Sequence, residues 1–346
     1  MKKAVSIMDI AEVLGLSRNT VSKALNGQPV PAATRELVFK KARELNYKSL
    51  GKGIATQKSY RILLLSGKVF RNMSFFIPLV DTIETYCLDH NYNFIQYVCK
   101  DIKISFEKTA AYIRSLRIDG IVVIECFDPS FVQNLTSLGI PCCFIDYPWQ
   151  SFECKGKYDL ICSSSQKSVC GLVTQLIRER GFTRFSFVGD HRHCLSFQQR
   201  YTGMIMALQS AEIRHLPEED IIESDDEFRY GDILSLKKKI KELHRLPNCF
   251  VCCNDFVARK MIVALSELGY SVPKDATVIG YDGAELATKE TPTITTFRLD
   301  KEFLGQEAVR LVVSRIEHKE SPKRMVIVET DLVFGESTQG NDTAAS

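Results

Sequence analysis

Membrane-spanning runs, secretory signals and catalytic signatures are all missing from this sequence. No apolar run approaches the roughly 18 residues that a spanning helix needs, so no membrane contact is expected. The N-terminus MKKAVSIMD has two lysines but no apolar stretch of secretory length, which points to the cytoplasm and leaves the twelve cysteines as thiols. There is no G-x-S-x-G elbow and no dinucleotide fingerprint, and Gly51-Lys52-Gly53 has neither the spacing nor the flanking strand of a phosphate loop. Cys249 and Cys252 are formally C-x-x-C, but they fall along an expected strand, with no knuckle turn and no second pair to build a zinc site. His191, His193 and Cys194 in DHRHC are sequence neighbours, and such neighbours rarely meet as nucleophile and base. No catalytic residue, cofactor or metal is therefore expected.

Acid is also scarce in one particular place. Residues 1–60 hold 11 Lys+Arg against 4 Asp+Glu, a net of +7, so the other 286 residues hold 34 against 38, a net of −4. A basic head on a mildly acidic body suits attraction to a polyanion, although a solvated surface has the same composition. Within the head, Ser6 with Asp9 makes a capping-box start, and Ile7, Ile10, Ala11 and Leu14 follow at helical spacing up to Gly15. Ser17 can cap a second helix whose Val21, Ala24 and Leu25 face inward, with Arg18, Asn19, Ser22, Lys23 and Asn26 opposite. Such a face suits a major groove, because Arg fits guanine, Asn fits adenine, and hydroxyls and Lys hold phosphates. Spacing alone fits a solvated helix equally well. After Pro31, Leu37, Val38, Ala42 and Leu45 supply the apolar side of a third helix.

The wording of this region decides between the two. IMDIAEVLGLSRNTVSKALNG resembles the DNA-reading motif of the lactose-repressor family of bacterial transcription regulators, and VPAATRELVFKKARELNYKS resembles that family's next helical stretch. The resemblance implies that Ser17, Arg18, Asn19, Thr20, Ser22, Lys23 and Asn26 face operator DNA. In the family a hinge helix follows, with a leucine that wedges into the minor groove. Here the linker is about two residues shorter than usual, carries Gly51 and Gly53, and offers only Ile54 as a wedge, Leu50 lying too early.

From Arg61 onward, apolar runs at 62–65, 94–98, 121–124 and 142–145 alternate with helical stretches at 74–90, 106–116 and 129–138. This is the pattern of a doubly wound parallel sheet. A second series starts near Asp159, with strands at 185–188, 250–253 and 277–280, and helices near 165–180, 199–211, 230–244 and 256–268. The tail from Thr293 to Phe334, with a helix over 301–317, is too short for a third domain and is expected to cross back between the lobes. The fold class expected is an all-α helix-turn-helix head (1–48), a linker (49–60) and a two-lobed α/β body (61–340), which resembles the periplasmic-binding-protein-like body of the same family.

Ligands of open parallel sheets collect at the carboxyl ends of the strands. Asp146 and Tyr147 follow CCFI, Asn254 and Asp255 follow FVCC, and Asp282 follows VIGY. Taken singly, each is as readily a cap or turn residue. The family resemblance implies more, since its matching Asn-Asp and Asp contact the effector or the lobe hinge. It also implies that Arg200 in QQRYTG holds a small molecule, and that Phe75 or Phe76 in NMSFF stacks on its ring. Ser163 and Ser164 depart from the family's usual Asp-Asn.

The function expected is a homodimeric repressor reading a pseudo-palindromic operator in double-stranded DNA. Two heads one helical turn apart multiply specificity, and a small effector between the lobes tunes operator affinity. Phe75, Phe76, Tyr147, Arg200, Asp255 and Asp282 are the expected effector residues. Acids from one lobe and rings from the other suit a sugar, and a nucleobase could use the same groups. The rival is a sugar- or nucleoside-modifying α/β enzyme with an incidental basic head, which would need the nucleophile or metal cluster missing above.

Overall fold

The computed structural model describes residues 5–25, 30–45, 47, 59–67, 73–99, 106–148, 158–222 and 232–339. They form two compact units, Met1–Tyr60 with Asp89–Asn93, and the remainder. In the first, α1 (Ile7–Leu14) starts with the Ser6–Asp9 capping box and stops at Gly15 in the left-handed conformation. The second helix, α2 (Arg18–Leu25), starts where the Thr20 N–H donates to Ser17 Oγ at 3.0 Å. The third, α3 (Ala32–Glu44), follows Pro31. Ile10, Ala11, Val21, Ala24, Leu25, Val38 and Ala42 are buried together. A core this small leaves a domain only marginally stable. Leu37, expected in that core, is 48 % exposed, because Val38 and Ala42 already occupy the inward face and the preceding residue points about 100° away.

The second unit is two-lobed. The first lobe begins with β1 (Arg61–Ser66), α4 (Met73–Asp89), β2 (Asn93–Val98), α5 (Phe106–Ser115), β3 (Gly120–Ile124), α6 (Pro129–Ser137), β4 (Cys142–Ile145) and β5 (Tyr158–Ser163). The second continues with α7 (Ser165–Arg180), β6 (Phe185–Val188), α8 (Leu195–Ser210), α9 (Ile233–Glu242), β7 (Cys249–Cys252), α10 (Asp255–Glu267), β8 (Thr277–Ile279), α11 (Glu285–Lys289) and β9 (Thr296–Arg298). The chain ends with α12 (Lys301–Glu317), β10 (Met325–Val328) and β11 (Asp331–Val333).

The first-lobe sheet runs in the order β10-β5-β4-β3-β1-β2 and the second-lobe sheet β6-β7-β8. The pairings are parallel: Ile62 lies opposite Gly120, Ile121 opposite Cys142, Cys142 opposite Tyr158 and Leu160 opposite Met325. Helices cover parallel sheets on both faces, which is why β1, β3 and β4 read as unbroken apolar runs. Tyr158–Ser163, expected to open the second lobe, is a strand of the first instead, because β10 from the far end of the chain pairs with its outer edge. The helix α12 also returns to the first lobe and packs on β3, β4 and β5. Its approach requires Gly120, where an added Cβ would lie 2.2 Å from Val312 Cγ1.

The chain therefore passes between the lobes at 163–165, 298–301 and 328–331. Ser163 and Ser164 sit in the first passage. Ser164 Oγ donates to Glu329 Oε2 at 3.0 Å and its N–H to the Val328 carbonyl at 2.9 Å, while Ser168 Oγ meets Thr330 Oγ1 at 2.9 Å. Serines thus tie two of the passages side by side.

Candidate functional site

On the first unit, Arg18, Asn19 and Lys23 of α2 are exposed and Ser22 is half-buried, while Val21, Ala24 and Leu25 are buried beneath them. Ser17 and Thr20 spend part of their polarity locally, their hydroxyls 2.8 Å apart. No described residue of α2 is acidic. Asn26 and Ile54 lie outside the described residues.

In the second unit, the carboxyl ends of the strands meet the helices that follow them. At these ends Glu125, Asp146 and Asp282 adopt positive φ values of 54°, 64° and 104°. Left-handed backbone is costly for residues other than glycine and collects at functional sites. Arg200 on α8 is 4 % exposed. Its guanidinium donates to Asp282 Oδ1 at 3.2 Å and to the Cys253 carbonyl, and lies 3.8 Å from the centre of the Tyr281 ring. Burial alone would weaken its charge, but Asp282, Tyr281, Cys194 and Cys253 together outweigh burial and raise its pKa. Its Nε has no partner among the described residues. Gly203 fixes where Arg200 stands, because a Cβ there would lie 2.4 Å from the Gln166 carbonyl oxygen of α7. This gives the Arg-x-x-Gly spacing a packing reason.

Asp282 is buried, and burial raises its pKa against the pull of Arg200 and Lys301. Lys301 Nζ donates to the Asp282 carbonyl at 2.9 Å and lies 5.6 Å from the centre of the Phe75 ring. Phe75 and Phe76 are half-buried and meet edge to face at 5.0 Å. The structure thus brings Arg200, Asp282 and Phe75 into one chain of contacts through Lys301.

Asp255 and Tyr147 are placed differently. Asp255 Oδ2 accepts the Ala284 N–H at 2.7 Å, and its own N–H donates to the Tyr281 carbonyl at 2.8 Å, so it holds the turn that presents Asp282. A Cβ on Gly280 would lie 2.1 Å from Asp255 Oδ1, so the carboxyl is packed against that backbone. Asn254 caps α10 through the Val257 N–H. Tyr147 is 6 % exposed and belongs to the first-lobe core, stacked on Tyr158 at 5.8 Å and edge-on to Phe144.

The lobes also touch at the start of α8. Cys194 at its N-cap makes no side-chain cap bond. The first lobe supplies the acceptors: Asp146 Oδ1 takes the Ser196 N–H at 3.1 Å, and the Tyr147 carbonyl takes the Leu195 N–H at 2.7 Å. Phe127 meets His193 at 4.8 Å in the same region. Sequence reasoning marked Asp146 only by its place after a strand, and nothing in the sequence marked Lys301.

A cleft of about 760 Å³ opens beside the chain passages, lined by Ile77 and Pro78 of the first lobe and by Gly283, Lys301, Glu329 and Asp331. Arg200, Asp255 and Asp282 do not line it.

The cysteines of the body are poor nucleophiles. Burial pushes Cys142 and Cys249 up to about 12 and Cys194 well above the usual thiol range, so their thiolates do not form near neutrality. Among the described residues no group of His, Cys, Asp and Glu could hold a metal ion, and no helix is long and apolar enough to cross a membrane.

Burial pushes Asp255 up to about 7, with Asp282 adding to the shift. A carboxyl raised in the folded state binds more protons folded than unfolded between the two pKa values, so its contribution to stability falls as pH rises from about 4 to 7. Asp255→Asn, neutral throughout, removes this. Relative to the variant, the wild-type chain should lose up to roughly 4 kcal/mol between pH 4 and pH 8. Urea unfolding of both proteins across that range measures the difference, and parallel curves would exclude a raised Asp255.

Comparison with known proteins fits this architecture. The family described as a periplasmic binding protein-like domain matches residues 174–338. The HTH-type transcriptional repressor PurR of Vibrio parahaemolyticus serotype O3:K6 is 30% identical over 340 residues, covering 95% of this chain and 97% of the relative. A complex of the transcriptional regulator CelR with cellobiose superposes with a TM-score of 0.70 at 20% identity, covering 96% of this chain and 99% of that one. The lac repressor dimer bound to operator and the anti-inducer ONPF superposes with a TM-score of 0.68 at 21% identity, covering 98% and 100%.

Proposed function

From the chain's membership of the lactose-repressor (LacI) family of DNA-binding transcription regulators, we propose that this repressor closes its two lobes on a polyhydroxylated small molecule, and that closure tunes a paired head on a two-fold operator. Regulators of this family have an effector-binding body and are not enzymes, which removes the sugar-modifying reading. A repressor of this kind works where the DNA is, in the cytoplasm.

The observation that carries the effector reading is Arg200: a buried cation beside Asp282 with one N–H that has no partner among the described residues. A buried unpaired donor is costly, and a ligand oxygen would satisfy it. Asp282 would accept hydroxyls and the Phe75–Phe76 pair would offer a flat apolar face. In this reading Asp255 and Tyr147 hold the walls from behind. A sugar fits this mixture of one cation, one acid and a ring face, and cellobiose is the ligand named for one structural neighbour. Thermal-shift screening of aldoses, disaccharides and nucleobases on the full chain, followed by titration calorimetry of the hits, tests the assignment. Binding confined to nucleobases would overturn the sugar and keep the site.

On the head, Arg18 and Asn19 stand in the first turn of α2, where side chains of a reading helix meet base edges. Arg18→Ala should cost about 1 to 3 kcal/mol of operator affinity and relax preference at one base pair per half-site, whereas Lys23→Ala should weaken all sequences alike. Selection from randomised sites decides. The same preferred operator for Arg18→Ala as for the wild type would sink the assignment.

A further inference from the structure

We propose that Lys301 is a positioning residue that sets how far the two lobes close, an inference that rests on the effector reading above. Lys301 is the first residue of α12, immediately after a chain passage. A cation there faces the positive end of a 17-residue helix, so it does nothing for that helix. Its contacts lie elsewhere. The ammonium donates to the Asp282 carbonyl at 2.9 Å and reaches the Gly283 carbonyl at 3.5 Å. Both residues have left-handed backbone, with φ of 104° and 60°. The same ammonium lies 5.6 Å from the centre of the Phe75 ring, a cation–π contact with the first lobe. One charged group therefore touches the second lobe's strained turn and the first lobe's aromatic pair.

These two sets of contacts respond differently to movement. Lys301 opens α12, which packs on the first lobe with Gly305 against Thr82 of α4, so Lys301 and Phe75 move together. The Asp282 and Gly283 carbonyls belong to the second lobe, so the bonds Lys301 makes to them cross a passage and lengthen or shorten with lobe angle. Phe75 holds the ammonium in place for those bonds, and a ligand stacking on Phe75 displaces or reinforces it. Arg200 cannot do this, since its partners Asp282, Cys253 and Tyr281 all lie in the second lobe.

The test uses the full chain without ligand. Spin labels on ketone-bearing residues at positions 111 and 241, exposed on α5 and α9, spare the native thiols and report the distance between the lobes. Lys301→Met keeps the stem and removes the charge; it should displace the mean distance and broaden its distribution roughly twofold. Phe75→Leu should do the same, the double variant should add nothing further, and Lys301→Arg should restore the wild-type distribution. A wild-type distribution in Lys301→Met, an additive double variant, or failure of Lys301→Arg to restore would each overturn the proposal. Melting curves check that the variants are folded, and Phe75→Leu decides if Lys301→Met is not. A ligand screen without hits would remove the effector reading, while these distances still decide whether Lys301 sets the lobe angle.

Discussion

Asp159→Ala is expected to remove about 3 to 5 kcal/mol of stability from the body, because it strands a buried cation. Asp159 at the start of β5 is fully buried, and both its oxygens are taken. Arg315 of α12 donates to it through Nε at 2.9 Å and through a second nitrogen, and Arg324 through Nη2 at 3.0 Å and its backbone N–H at 2.8 Å. Burial alone would raise this carboxyl, but Arg315 and Arg324 outweigh it and hold the pKa below the usual range. The stabilisation is therefore present above the ordinary carboxylate range and lost as pH falls through the folded value. Arg315 is 1 % exposed and cannot turn to water, whereas the Arg324 side chain is 36 % exposed and can. Most of the cost therefore lies with Arg315. Asp159→Ala with Arg315→Met should recover much of the loss, since replacing both members of a buried pair is often neutral. Urea midpoints of the single and double variants measure it, and a loss below about 1 kcal/mol in Asp159→Ala would show that the pair holds nothing together.

The second large effect concerns ligand. Arg200→Met should weaken effector binding by roughly ten- to a hundredfold, since a hydrogen bond to a charged group contributes about 1.5 to 3 kcal/mol. The same change leaves Asp282 buried beside Lys301 alone, so it should also destabilise the fold. Adding Asp282→Asn separates the two consequences: the double variant should regain stability, because no unpaired acid remains, and should still fail to bind. Calorimetry with a hit from the screen, alongside urea unfolding, reads both. Recovery of binding in the double variant would mean that Arg200 serves only to neutralise Asp282.

Local order was legible in the residues, and long-range partnership was not. The periodicity that marked 165–180 and 301–317 gives the observed bounds of α7 and α12, and Ser6, Gly15 and Ser17 cap as their spacing implied. Those signals are carried by neighbours a few positions apart. The lobe membership of β5 is settled by Leu160 lying opposite Met325, a pairing across nearly half of the sequence that no window detects. At the site, the strand-end rule found Asp146, Asp255 and Asp282 but not which way each turns. Gly280 pulls Asp255 against the backbone, and the uncapped start of α8 draws Asp146 across to the other lobe. Lys301 was invisible because a lysine at a helix start looks like any solvated one until Phe75 and the Asp282 carbonyl are seen beside it.

The returning tail also sets a timetable for synthesis. Neither lobe can finish its sheets until the ribosome has made residues 325–333, since β10 completes one and β11 pairs with β9 in the other. The three helices of the head and the side chains packed on their core lie within the first 47 residues. At about 5 to 20 residues per second, the 286 residues beyond position 60 take roughly 15 to 60 s. For that interval each nascent chain of this DNA-binding regulator carries its three head helices on a half-built body, so a growing polysome displays single heads before any effector can govern them.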